Sequence, residues 1–118
     1  MRSLTITLQP DWKSALRQAA KRFAAETYQG ETLNFETPGS FFGRLTERRW
    51  DIVHALQADG GEVGIRELAR RLGRDPSRIH SDAAVLVELG LIERMPDGAL
   101  RCPYADIHVD MHLTTRAA

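Results

Sequence analysis

Ile65-Arg66-Glu67-Leu68-Ala69-Arg70-Arg71-Leu72-Gly73-Arg74-Asp75-Pro76-Ser77-Arg78-Ile79 is the stretch that decides the fold. Ile65, Leu68, Ala69 and Leu72 recur at helical spacing and predict a helix of about two turns. Gly73 ends it, where the chain needs a residue free of Cβ strain. Asp75 is a good N-cap, and Pro76 suits the first turn of a new helix because its missing N–H costs nothing there. Ile79, Ala83, Leu86 and Leu89 form the buried stripe of that second helix, and Gly90 closes it. The connection is only Gly73-Arg74-Asp75, too short for antiparallel packing, so the helices are expected to cross steeply. Ala69 is small where that crossing is closest.

Upstream, Leu45, Ile52, Val53 and Leu56 predict a helix over about residues 46–58. Thr46 is its expected N-cap, and Leu45 and Trp50 stand at the positions of a hydrophobic staple. Gly60-Gly61 stops it. Downstream, Leu91–Met95 and Ala99–Cys102 flank Pro96-Asp97-Gly98 and read as a hairpin. Helix, short helix, tight turn, helix and hairpin is the order of a winged helix-turn-helix, expected over residues 44–104.

The rest alternates. Leu4, Ile6 and Leu8 against Ser3, Thr5 and Thr7 predict a strand, as do Thr32–Glu36 and the tail Ile107, Val109, Met111 and Leu113. Between the first two, Trp12, Ala15, Leu16, Ala19, Ala20, Phe23 and Ala24 form one apolar helical stripe. Pro38-Gly39-Ser40 reads as a turn that ends the second strand. The expected fold class is α+β. Residues 1–43 form a strand-helix-strand extension for dimer or partner contact, and 105–118 a C-terminal strand and tail. The three strands are expected to form one small sheet under the N-terminal helix, or to pair with the same element of a second subunit.

Composition narrows the function classes. The 118 residues carry 16 basic and 16 acidic side chains, so bulk positive charge does not hold this protein to nucleic acid. Charge is uneven, however. Residues 1–28 hold five bases against two acids, and 44–104 hold ten of each. One cysteine, Cys102, excludes an internal disulfide and fits a reducing compartment. No apolar run approaches the roughly 20 residues of a membrane helix. The N-terminus lacks a signal peptide's apolar core. A cytoplasmic, nucleoid-associated protein is expected.

The run Ile65–Arg74, then Asp82 and Leu86, then Glu88-Leu89-Gly90-Leu91-Ile92, resembles prokaryotic winged-helix transcriptional regulators of the MarR-like type. Leu45-Thr46-x-x-Arg49 and the tail Ile107-x-Val109-Asp110 resemble a subgroup of small regulators, some of them antitoxins. The resemblance covers residues 44–113 well and the N-terminus loosely. It implies a homodimer on operator DNA, often at its own promoter. The long flanking dimerisation helices of larger MarR-type proteins are missing here.

With Ile79, Ala83 and Leu86 buried, the opposite face of that helix carries Ser77, Arg78, His80, Ser81 and Ala84. Arg78 can bind guanine O6 and N7 with two hydrogen bonds. Ser77, His80 and Ser81 can reach base edges or phosphates, and Ala84 leaves room for a thymine methyl. Arg66, Arg70, Arg71 and Arg74 suit phosphate contacts, or else are surface charges paired with Glu67 or Glu62. Arg94 and Arg101, in the hairpin, are placed to touch the backbone or minor groove.

Asp106, His108, Asp110 and His112 are metal-ligand types, but at about 7 Å along one strand face they read as its solvated side. Neither metal nor cofactor is expected. Cys102 reads as packing. Lys13, Arg17 and Lys21 read as a solvated stripe, or as a surface for an acidic partner. The expectation is a sequence-specific, homodimeric DNA-binding transcription regulator acting by promoter occupancy, not an enzyme. The alternative is an antitoxin that neutralises a toxin through its N-terminal region and autoregulates its operon. A hydrolase or nuclease using the tail finds no phosphate loop, nucleophile or second carboxylate cluster in the sequence.

Overall fold

The computed structural model describes residues 2–9 and 30–112. The helix expected over residues 12–24 lies outside these, as does Leu113 of the expected last strand. The elements run β1 (Ser3–Leu8), β2 (Glu31–Phe35), α1 (Pro38–Arg44), α2 (Glu47–Asp59), α3 (Ile65–Leu72), α4 (Pro76–Leu89), β3 (Glu93–Arg94), β4 (Leu100–Arg101) and β5 (Asp106–Asp110). The fold is α+β. The chain divides into two compact units, Met1–Phe42 with Asp106–Ala118, and Gly43–Ala105.

The first unit is built on a three-stranded sheet of order β2-β1-β5. Both pairings are parallel: Leu4 lies beside Glu31 on one side and Ile107 on the other. The tail's alternation predicts a strand with one solvated side, which is β5, parallel to β1. Parallel neighbours need long crossovers, and long stretches of chain do separate these strands. As the central strand, β1 buries Leu4, Ile6 and also Thr7. The Thr7 hydroxyl donates to Asn34 Oδ1 at 2.8 Å, and the Asn34 amide exchanges hydrogen bonds with the Gln9 backbone at 3.0 and 3.2 Å. One side chain of β2 thus satisfies a buried hydroxyl and fixes the exit of β1. β5 is less regular, with Val109 39% exposed.

Pro38-Gly39-Ser40, expected as a turn, is the first turn of α1. Thr37 Oγ1 accepts from Ser40 N at 3.0 Å, and Pro38 occupies the first helical position. The signal is the one that starts α4, a capping residue followed by proline. Phe41 of α1 is buried edge-to-face on Phe35, ring centres 5.5 Å apart.

The second unit packs α2, α3 and α4 around Ile52, Leu56, Leu68, Ile79 and Leu86, all fully buried. Asp75 caps α4 by accepting from Ser77 N at 2.8 Å. Thr46 stands at the N-cap of α2, but its side chain makes no capping bond. Gly73 has φ 63°, and its N–H and that of Arg74 return to carbonyls of Arg70 and Ala69. This left-handed residue ends α3 and redirects the chain toward α4. β3 and β4 form an antiparallel hairpin with Glu93 opposite Arg101. Val63 adds a bridge on its other edge, exchanging two 2.8 Å bonds with Leu100, a contact the sequence reading did not anticipate.

Candidate nucleic-acid interface

Residues expected to contact DNA lie on α3, the following turn, α4 and the hairpin, all within the second unit. On α4, the buried stripe Ile79, Ala83 and Leu86 leaves Ser77, Arg78, His80, Ser81 and Ala84 exposed. The Ser77 hydroxyl donates to Asp75 Oδ1 at 2.8 Å, and the Ser81 hydroxyl to Ser77 O at 3.1 Å. Both can rotate toward a ligand. The hydrogen bonds from Ser77 hold the Asp75 carboxyl below its ordinary value, so the cap is ionised at neutral pH.

The arginines separate into two groups. Arg70 is paired with Glu67 through both carboxylate oxygens, although its side chain is 75% exposed. Arg71 binds Asp59 at 2.9 Å, and Arg101 binds Glu93 directly across the hairpin at 2.8 Å. Arg44 faces Glu88 at 3.6 Å. Arg66 on α3, Arg78 on α4 and Arg94 on β3 are exposed and have no ion pair among the described residues. Arg48, on the first turn of α2, joins them; the sequence reading passed it over.

Arg74 is placed differently from its expected role. Its side chain is only 9% exposed and binds Asp82 Oδ2 at 2.5 Å and Arg48 O at 3.3 Å. Arg49 of α2 binds the other carboxylate oxygen, Oδ1, at 3.1 Å and reaches Arg44 O at 2.8 Å. Burial pushes the Asp82 carboxyl up, but the hydrogen bonds from Arg74 and Arg49 outweigh it and hold the group below its ordinary value. One carboxylate of α4 therefore joins α2 and the α3–α4 turn. Asp82 entered the sequence reading only through the resemblance, because its partners lie far away in the chain.

Arg66 and Glu67 line an open groove of about 620 Å³ with Glu62, Asp97 and the backbone around Gly98. Its three carboxylates make it unsuited to DNA phosphate. In the tail, Asp106 and His108 are exposed, and His112 Nε2 lies 2.8 Å from Asp110. Among the described residues, no group of three or more His, Cys, Asp or Glu side chains is placed to hold a metal ion. Cys102 is half-buried and donates toward Leu91 O and Tyr104 O at 3.6 and 3.5 Å. Burial pushes its thiol up, away from the reactive thiolate. Among the described residues no helix is long and apolar enough to cross a membrane.

No curated protein and no solved structure matches the chain. The family model described as HVO_A0114 matches residues 44–109, which span the helices α2 to α4, the hairpin and most of β5. That is more than half of the 118 residues, and the chain belongs to the HVO_A0114 family.

Proposed function

We propose that this protein is a sequence-specific DNA-binding transcription regulator with a MarR-like winged helix-turn-helix, α4 being the recognition helix and β3–β4 the wing. It acts as a homodimer by occupying promoter DNA, in the cytoplasm, and catalyses nothing. The observation that carries this reading is the distribution of unpaired charge. The second unit has as many acids as bases over residues 44–104, yet Arg48, Arg78 and Arg94 are exposed and form no salt bridge among the described residues, Arg78 standing near the Asp75 cap of its own helix. Charge left unpaired on a neutral domain is available to phosphate or guanine at little desolvation cost.

The roles follow from position. Arg78 stands on the first turn of α4, where a recognition helix meets base edges. Its fork can read one guanine, with Ser77, His80 and Ser81 beside it. Arg48 and Arg94 take phosphates, whereas Arg66 lies among the carboxylates of Glu62, Glu67 and Asp97. Arg70 and Arg101 sit in exposed pairs worth little in water, so they can exchange a carboxylate for a phosphate as a second tier. Arg74 supports the frame. Selection of bound duplexes from random DNA by the purified protein tests the proposal. Enrichment of one motif, repeated with two-fold symmetry, is the expected result. Recovery of random sequence alone would overturn it.

A further inference from the structure

We propose that Asp82 is a positioning residue for DNA reading: held between Arg49 and Arg74, it fixes the roll of α4 about its own axis and so aims Arg78. The inference rests on the proposed DNA-binding role of α4.

The apolar contacts of α4 set which face is buried, and directional bonds sharpen its rotation within that choice. Ile79, Ala83 and Leu86 are fully buried, yet burial of apolar surface is non-directional, and Ala83 offers little relief to lock against a neighbour. Directional bonds must define the remaining freedom. Asp82 supplies them, with one oxygen on Arg49 Nε at 3.1 Å and the other on Arg74 Nη2 at 2.5 Å. Each guanidinium is itself fixed by a backbone carbonyl, Arg44 O for Arg49 and Arg48 O for Arg74. The carboxylate is therefore referenced to α2 and to the turn, not to two mobile side chains. Asp82 side-chain exposure is 18% and that of Arg74 is 9%, so water does not loosen the bonds as it does at the surface.

Helical phase connects this clamp to the reading face. Asp82 lies four residues after Arg78, one turn further on and nearly the same side of α4. It also adjoins Ser81. A small roll of α4 would carry the long Arg78 fork sideways by more than a bidentate contact tolerates. The arrangement is also imperfect as a stabilising device. Among the described residues Arg74 Nε is buried without a hydrogen-bond partner, and two cations share one carboxylate. Replacing a whole buried ion pair by apolar residues often leaves stability little changed, although removing one partner is costly, so such a pair is better suited to defining geometry than to adding stability.

The test uses Arg49→Lys and Arg74→Lys, which keep the charge and remove the planar fork, with Asp82→Asn as a third variant. Affinity for the duplex selected by the wild type is measured beside affinity for a scrambled duplex. Residual dipolar couplings of backbone amides report the orientation of α4 against α2 without DNA. The expected result is reoriented α4 couplings and a loss of roughly tenfold on the selected duplex, the scale of one mismatched base pair, with scrambled-duplex affinity nearly unchanged. Arg78→Ala should then lower the affinity of the lysine variants for the selected duplex less than it does in the wild type. A folded lysine variant with wild-type selectivity and couplings would overturn the inference. Equal losses on both duplexes would overturn it too, since they indicate lost fold or lost charge. If the wild type itself selects no duplex while its α4 couplings still depend on Arg49, the DNA reading has failed and takes the inference with it, although the clamp itself stands.

Discussion

Arg78 and Arg94 are both exposed and form no salt bridge among the described residues, but they sit on elements that would meet different parts of a duplex. Arg78→Ala should remove a base contact, costing about 1–3 kcal/mol at the best site and relaxing preference at one position. Arg94→Ala should weaken all sequences alike and reduce the salt slope by about one unit. Titrations of single-base variants at several salt concentrations separate the two outcomes. Unchanged base preference in Arg78→Ala would mean that the reading face lies elsewhere. Arg101→Ala, which first breaks the pair with Glu93, should show the smaller effect of the two hairpin arginines. At this scale, local chemistry was legible in the sequence and distant pairing was not. Asp75 was readable as a cap because its partner, Ser77, is two residues away. Arg74 resembled its neighbours on paper, since Asp82 is eight residues on and Arg49 binds the same carboxylate from 33 residues before it. Thr46 had the right side chain for a cap, but no capping bond forms.

Elements were read well where apolar period and punctuation agreed. The limits of α3 and α4 follow from Ile65, Gly73, Asp75-Pro76 and Gly90, and the observed helices start and stop there. α1 was missed because Pro-Gly-Ser has the composition of a turn, and only Thr37 ahead of it signalled a helix start. Strand direction was not legible either, since alternation gives a strand's faces and not the sense of its neighbour. Gly30 is required by geometry. Its φ is +91°, and a Cβ would lie 2.5 Å from Ser3 Oγ and 3.1 Å from Ser3 O. Gly30→Ala should destabilise the sheet by about 1–2 kcal/mol, measured by urea unfolding followed through amides of β1. Acid should act on the other unit. Asp59, Glu67, Asp75 and Asp82 are all held below their ordinary values, chiefly by arginine or backbone donors. A carboxyl depressed in the folded state contributes stability above its unfolded value of roughly 4 and loses that contribution as pH falls through the folded value. The urea midpoint of the second unit should therefore be flat near neutrality and drop below about pH 4. Asp82→Asn should lower the neutral plateau and make the acid limb shallower. An acid limb as steep as the wild type's would show that Asp82 takes no part in it.

For the molecule as a whole, the proposed two-fold operator implies two subunits. Sedimentation should show a dimer at micromolar concentration or on DNA, with half-sites about 34 Å apart or a multiple of that. A monomer under both conditions would remove the symmetric mode of binding. With Arg48 and Arg94 on phosphates, log affinity should fall with log salt at a slope of about −4 for the dimer. That is modest, as expected for a chain with no net charge. The separation into units was partly legible: the helical stretch had a recognisable order, whereas the sheet joins segments with nothing between them to signal their pairing. That sheet bears on synthesis. Its central strand, β1, lies near the beginning of the chain, and its neighbour β5 comes about a hundred residues later. At a translation rate of roughly 5–20 residues per second, β1 waits some 5–20 s on the ribosome for that partner. The helices α2 to α4 and their hairpin are made entirely within this interval. They can close around their own core before β5 reaches β1. A nascent chain halted before Asp106 would thus carry a finished helical unit beside an open strand edge, which a chaperone could shield during the wait.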